Sequence, residues 1–171
     1  MPIPKSVLSK YKNEVFVETG TLSGEGIVAA LACGFKEIHS IDINQGYINA
    51  EMHRCTENNG VHLYCGSSDT LLPTILNKIV GRITFWLDAH PDGLLTLKNT
   101  PVLGELQAID YHMSISEPSE YPTVMLDDMR LFSHEDKQQI ESLLKRWPGT
   151  VVFEDTLVAP KDVMVYVPDV R

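Results

Sequence analysis

Short apolar runs alternate five times with helix-patterned runs along this chain, and that alternation leaves few folds open. The apolar runs fall at 15–17, 37–43, 61–65, 83–88 and 123–128. Each is followed by apolar residues at helical spacing: 27–33 after the first, then Ile48, Met52 and Cys55, then Leu71, Leu72, Ile75, Leu76 and Ile79. The last two runs carry Val102, Leu103, Leu106 and Ile109, and Ile140, Leu143, Leu144 and Trp147. Strands alternating with helices predict a parallel sheet covered on both faces. The punctuation agrees. Gly34, Asn59-Gly60, Gly81 and Pro148-Gly149 stop helices, Pro101 sits at the first turn of one, and Ser133 with Asp136 resembles a capping box. Two further strands are expected at 150–158 and 162–167. Only Ala159-Pro160-Lys161 joins them, too few residues for a crossover, so this pair must be antiparallel. The expected fold class is α/β: a three-layer sandwich with a doubly wound, mostly parallel seven-stranded sheet and an antiparallel C-terminal hairpin. Residues 4–12, with Val7, Leu8 and Tyr11 at near-helical spacing, are expected to form a short helix over one sheet edge.

Composition narrows the function classes. The 171 residues suffice for one domain, with 1–13 as its lead-in. Apolar residues make up 43% of the chain, enough for a real core. The net charge of −9, from 14 basic and 23 acidic residues, comes without a Lys/Arg run. Binding to a phosphate backbone is therefore not expected. The first residues, Met-Pro-Ile-Pro-Lys-Ser, have no apolar signal core, and no stretch approaches the ~20 apolar residues of a membrane span. A soluble, cytoplasmic protein is expected. Cys33, Cys55 and Cys65 form an odd set with no C-x-x-C pair, so reduced, mostly buried thiols are the expectation.

The turn after the first strand carries the most specific pattern. Val15-Phe16-Val17-Glu18-Thr19-Gly20-Thr21-Leu22-Ser23-Gly24-Glu25-Gly26 is a strand, a glycine-rich turn and a helix start. Such a turn forms a ligand cradle, because the first helical N–H groups have no partner within the helix. The dinucleotide fingerprint G-x-G-x-x-G/A fits Gly24 to Ala29, but it opens six positions beyond Glu18, whereas it should open directly off the strand. The pattern Glu18-x-Gly20-x-x-x-Gly24-x-Gly26 is better placed. Its spacing resembles the first motif of class I S-adenosylmethionine (SAM) methyltransferases. Glu18 and Glu25 would sit badly beside a pyrophosphate, whereas SAM carries an ammonium and a sulfonium. A tight structural turn that binds nothing shares the same local pattern. The seventh, antiparallel strand is also that family's arrangement, so the resemblance covers nearly the whole chain. It implies that Glu18, Thr19, Gly20, Thr21, Ser23 and Gly24 line the cofactor.

All five parallel strands end in or just before a carboxylate: Glu18, Asp42, Asp69, Asp88 and Asp127-Asp128. Ligands of open α/β sheets bind outside the carboxyl ends of the strands. Helix capping explains Asp69, and contributes at Ser67 and Ser68. Asp42 matches the family acid that takes both ribose hydroxyls, and its distance from the glycine turn is also the spacing of about 20 residues expected in dinucleotide folds. The resemblance further implies that Ile43 packs on the adenine and that Gly66, Ser67 and Ser68 line its edge. Asp88-Ala89-His90 stands where that family faces the sulfonium and the acceptor. It lacks the N/D-P-P-Y motif of the amino-group methylating members. The pattern Asp88 … Asp127-Asp128 resembles small metal-dependent O-methyltransferases, which implies Mg²⁺ or another divalent cation held by Asp88, Asp127 and Asp128. Asp88 and His90 are the candidate catalytic pair. For Asp128 the competing reading is a pair with Arg130 at a helix cap. His39, His53, His62, His112 and His134 read as solvated or satisfied residues, and Phe85-Trp86 as core.

The expected function is therefore SAM-dependent methylation of an oxygen on a small molecule or sugar. A non-catalytic SAM- or nucleoside-binding module and a minimal NAD(P)-dependent oxidoreductase are the alternatives. The chain holds no insertion that would close the acceptor side, and association into a homo-oligomer is expected to cover it.

Overall fold

A computed structural model describes residues 3–91 and 93–169; Met1 and Pro2 of the lead-in lie outside them. The elements in chain order are α1 (Lys5–Lys10), β1 (Val15–Thr19), α2 (Glu25–Ala32), β2 (Glu37–Asp42), α3 (Gln45–Glu57), β3 (Val61–Cys65), α4 (Ser68–Leu76) and β4 (Ile83–Leu87). They continue with α5 (Val102–Ile115), β5 (Thr123–Leu126), α6 (His134–Leu144), β6 (Gly149–Glu154) and β7 (Val163–Pro168). Short 3-10 turns at Pro118–Glu120 and Met129–Leu131 flank β5.

The seven strands form one sheet in the order β3-β2-β1-β4-β5-β7-β6. The pairs β1–β2, β1–β4, β2–β3 and β4–β5 are parallel, and β7 runs antiparallel to both β5 and β6. The strand order reverses between β1 and β4, and this switch point opens a crevice at their carboxyl ends.

Two apolar layers hold the helices on. One gathers Val17, Ile41, Phe85, Leu87 and Val124 from the sheet with Leu72, Leu76, Leu106, Ile109, Ile140 and Leu144 from α4, α5 and α6. The other gathers Phe16, Ile38, Trp86, Met125 and Val165 with Leu8 of α1 and Ile27 and Ala30 of α2. The central strands alternate between these layers and are buried on both sides, as a doubly covered parallel sheet requires.

Some expectations are corrected. Helix α1 does not cover a sheet edge. It lies on a face, where Val7 and Leu8 join the layer built on Phe16. The strand expected at 150–158 stops at Glu154, so 155–161 form a longer loop. Its Thr156 N–H donates to the Ala159 carbonyl (2.9 Å), and the Thr156 hydroxyl accepts from the Val158 and Ala159 N–H groups, both 3.2 Å. That turn ends the ladder. His39 is satisfied, as read, but buried: its ring stacks with those of His62 and Tyr64 and is hydrogen-bonded to the Tyr64 hydroxyl (2.9 Å) and Glu37 (3.0 Å). Burial pushes its pKa down. The cysteines are free but not mostly buried: Cys33 and Cys55 are half-buried and Cys65 is exposed. Ser133 caps α6 as expected, its hydroxyl accepting from the Asp136 N–H at 3.1 Å. Among the described residues no helix is long and apolar enough to cross a membrane.

Candidate cofactor and acceptor site

The glycine turn folds as it does because its backbone needs conformations a side chain resists. Gly20, Leu22 and Gly24 all have positive φ, at 89°, 44° and 69°, a region costly for residues with a Cβ. The Gly20 N–H donates to the Ile41 carbonyl (2.8 Å) and the Gly24 N–H to the Thr21 carbonyl (2.7 Å). Space is as tight as the dihedrals. A Cβ on Gly20 would lie 2.6 Å from the Asp88 carbonyl oxygen, and one on Gly26 would overlap Glu18 Oε2.

Glu18 is the buried centre of this turn. It is 2% exposed, and Ser40 Oγ donates to its Oε1 at 2.7 Å. The Thr21 hydroxyl joins Ser40 at 2.6 Å. Burial outweighs the Ser40 hydrogen bond, and with Asp88, Asp42 and Glu51 nearby it pushes the Glu18 pKa up to about 8. The carboxyl is thus largely protonated at neutral pH.

Asp42, at the end of β2, ties the turn to the neighbouring strand. Its Oδ2 accepts from the Leu22 N–H (3.0 Å) and its Oδ1 from the Asn44 N–H (2.8 Å). Each oxygen keeps a lone pair for a further donor. Ile43, next along, is 76% exposed, and Leu22 is 54% exposed. Two apolar side chains therefore stand free beside an acceptor-rich carboxylate. Gly66 opens the turn after β3. Ser67 Oγ donates to Asp69 Oδ1 (2.5 Å), and Ser68 is buried with its hydroxyl donating to Glu105 Oε1 (2.5 Å). Ser23 is exposed on the turn.

The exits of β4 and β5 form a second cluster. His90 Nε2 lies 2.9 Å from Asp88 Oδ1 and 3.1 Å from Asp128 Oδ2, with only 17% of its side chain exposed. Nε2 is fully buried and its N–H is aligned with neither carboxylate. Burial alone would lower the His90 pKa, but Asp128 and Asp88 outweigh it and hold the imidazole up to about 10. His90 also contacts the Pro91 carbonyl through Nδ1 at 3.0 Å. Asp128 is held below the usual carboxylate range by His90, against burial, with help from Arg130. Asp127 is almost fully buried; burial and then Asp88 push it up to about 8, although its Oδ1 accepts from the Asp128 N–H at 2.7 Å.

The expected trio does not gather as one set. Asp88, His90 and Asp128 place ligand atoms within 4.8 Å of one another, and so do Asp127, Asp128 and Asp162. Asp128 belongs to both sets. It also pairs with Arg130, as its competing reading expected, but stands at the start of the 3-10 turn without a side-chain capping bond.

Four contributors were not singled out by sequence reasoning. Ser40 holds Glu18. Glu51 is buried beneath Gly24, where a Cβ would strike it, and pairs with Arg54. Glu105 is buried on α5, and burial pushes its pKa up to about 7 against hydrogen bonds from Ser68 and Thr19. Asp162 is buried ahead of β7. For Glu51 and Glu105 a signal existed: each is a carboxylate on the inward stripe of its helix, Glu51 beside Ile48 and Glu105 between Val102 and Leu106. A charge on such a stripe rarely stays there unpaired.

Solved structures share this architecture. An O-methyltransferase from Bacillus cereus in complex with S-adenosylhomocysteine (SAH) superposes with a TM-score of 0.63 at 15% identity, over 95% of this chain and 78% of that one. This is the class I methyltransferase fold. An SAH-bound methyltransferase from Podospora anserina gives 0.64 at 17% identity, over 95% of this chain and 74% of that one. An rRNA methylase from Streptococcus thermophilus gives 0.61 at 12%, over 98% and 96%. At such identities the likeness is one of fold. No protein-family model and no curated protein matches the sequence.

Proposed function

We propose that this chain is a SAM-dependent methyltransferase acting on an oxygen of a small molecule or sugar. The observation that carries the reading is the pairing of two carboxylate clusters across the β1/β4 switch point of a class I methyltransferase fold. Glu18, Thr19, Gly20, Thr21, Ser23 and Gly24 would hold the methionine part of SAM. Asp42 would take the ribose hydroxyls, Ile43 with Leu22 would cover one adenine face, and Gly66, Ser67 and Ser68 would line its edge. The acidic crevice suits the cofactor's ammonium and sulfonium and repels a pyrophosphate.

SAM supplies an electrophilic methyl group. The chain has to place the acceptor oxygen in line with it and take a proton as the O–C bond forms and the C–S bond breaks. His90 holds a proton at neutral pH, so in the ligand-free chain Asp88 is the available base. The donors of the cluster at His90, the Asp88 and Asp128 carboxylates and a buried imidazole nitrogen, fit a divalent cation that takes oxygen and nitrogen ligands, such as Mn²⁺. A bound cation would lower the pKa of an acceptor hydroxyl. Association of two copies would cover the open acceptor side.

The test of the cofactor is thermal. SAH at a hundred times its Kd is expected to add ~2.7 kcal/mol, a rise of roughly 5–10 °C for a chain of this size; NAD is expected to add nothing. Stabilisation by NAD and not by SAH would remove the reading. In Asp42→Ala SAH binding is expected to weaken by roughly 1.5–3 kcal/mol, so that at the same SAH concentration half or more of that response is lost, since charge-assisted hydrogen bonds are lost.

A second expectation concerns the cation. Mn²⁺ and the His90 proton compete for Asp88 and Asp128, so calorimetry in buffers of different ionisation enthalpy is expected to show proton release on Mn²⁺ binding. Affinity should rise from pH 7 to 9. Binding that is unchanged in Asp88→Asn, together with methyl transfer that survives a chelator, would rule the metal out and leave Asp88 as the base.

A further inference from the structure

The least exposed carboxylate near the acceptor cluster, Asp162, touches neither His90 nor Asp88. It lies just before β7, which pairs antiparallel with β5 through Leu126↔Met164. Just beyond the end of that ladder Asp162 and Asp128 bring carboxylate oxygens within 4.8 Å of each other, two like charges whose approach is unfavourable unless a cation intervenes. Arg130 intervenes. One guanidinium nitrogen, Nη1, reaches Asp128 Oδ1 at 2.5 Å and also pairs with Asp162 Oδ2.

Asp162 does more than balance a charge. Its backbone carbonyl accepts from the Met129 N–H (2.9 Å) and its Oδ1 from the Arg130 N–H (3.1 Å). Its Oδ2 also accepts from the Thr156 hydroxyl at 3.0 Å. These bonds hold the start of the turn that Asp128 enters with φ 55° and ψ 33°, a left-handed conformation that residues with a side chain rarely adopt. Strain of that kind persists only where surrounding contacts fix it, and Asp162 supplies the contacts. The result is a continuous chain of groups, Thr156–Asp162–Arg130–Asp128–His90–Asp88, running from the β6–β7 loop to the end of β4, with Asp162 and Asp128 as its buried members.

We propose that Asp162 is a positioning residue for the acceptor cluster: through Arg130 and the 128–130 turn it holds Asp128 against His90. The inference rests on the reading of that cluster as the acceptor side, and its test separates the two. The variant is Asp162→Asn, which keeps the shape and a carbonyl acceptor but loses the charge. Arg130 then draws wholly onto Asp128 and pulls it from His90. The readouts are a crystal structure, SAH binding by calorimetry, and Mn²⁺ binding by electron paramagnetic resonance. The expected result is an unchanged SAH Kd, a His90–Asp128 separation beyond hydrogen-bond reach, and Mn²⁺ affinity lowered at least tenfold, the usual scale for residues behind a metal ligand. A wild-type chain that binds no Mn²⁺ would count against the metal reading, while the crystal structure would still decide the role of Asp162. A retained His90–Asp128 contact with the turn unmoved would overturn the proposal. Should Asp162→Asn fail to fold, Thr156→Val removes one hydrogen bond from Asp162 without changing any charge, and the same contact is read in it.

Discussion

Gly26→Ala is expected to abolish SAH binding and to lower the melting temperature by roughly 6–12 °C. The added methyl would fall on the position of Glu18 Oε2, and Glu18, buried and held by Ser40 at 2.7 Å, can move only by breaking that bond. Overpacking costs about 1–3 kcal/mol, and a buried polar group torn from its partner costs about 1–3 more. A total near 3 kcal/mol corresponds to the stated shift for a chain of this length. Glu18 would be expelled into the space proposed for the cofactor, so binding should be lost even in the fraction that stays folded. Gly34→Ala is the control. Gly34, unlike Gly26, has positive φ, at 78°, but its Cβ would meet only Lys12 Nζ, at 3.3 Å. It should cost about 1–2 kcal/mol of backbone strain and leave SAH affinity untouched. Equal effects of the two variants on SAH affinity would mean that the Glu18 turn has no special place in the site.

The difference between those two glycines marks what the sequence makes legible. Strand β3 was expected at 61–65 and is found at Val61–Cys65, because apolar patterning and flanking turn residues are local signals. The antiparallel β7 followed from the shortness of its connection, again a local count. The end of β6 did not, since Thr156 stops that strand through side-chain bonds to backbone groups two and three residues on, and a threonine inside an apolar run reads as strand. The acceptor cluster was legible as residue types and not as partners. Asp88, His90 and Asp128 were named from strand ends, but the pull of one histidine between two acids depends on the register of β4 against β5, which no window of sequence contains. Asp162 was hidden for the same reason, as its importance comes from lying beside Asp128 just beyond the end of the β5–β7 ladder. Ser40, at the middle of a strand, became visible only once β2 lay beside β1 with Glu18 paired to it.

The burial that keeps Glu18, Glu105 and Asp127 protonated also sets the pH dependence of the ligand-free chain. Their folded pKa values are pushed up to about 8, 7 and 8, from ordinary values of 4.5, 4.5 and 3.8. Between the ordinary and the raised values the folded chain binds more protons than the unfolded one, so stability falls as pH rises. Each group contributes at most about 1.4 kcal/mol per pH unit across its window. His90 acts in the same direction at higher pH: its stabilisation is complete below 6.5 and lost as pH climbs through about 10. Asp128 and Glu154, whose pKa values are lowered, oppose this in acid, where their protonation removes stability, and His39 and His112, whose pKa values burial lowers, oppose it below 6.5 without outnumbering the three carboxyls. The melting temperature is therefore expected to peak near pH 5 and to drop steadily to pH 8.5. Bound SAH should flatten the drop, because an ammonium beside Glu18 favours the ionised carboxylate. Glu18→Gln should flatten it too, and at pH 8 should be more stable than the wild type while binding SAH more weakly. That pairing of gained stability with lost affinity is the sign of a group kept for its ligand and not for the fold. A scan of melting temperature from pH 5 to 9, with and without SAH, decides the matter: a ligand-free wild type that grows more stable from pH 5 to 8 would show that these carboxyls are ionised in the folded chain, and Glu18 would lose its place at the centre of the cofactor site.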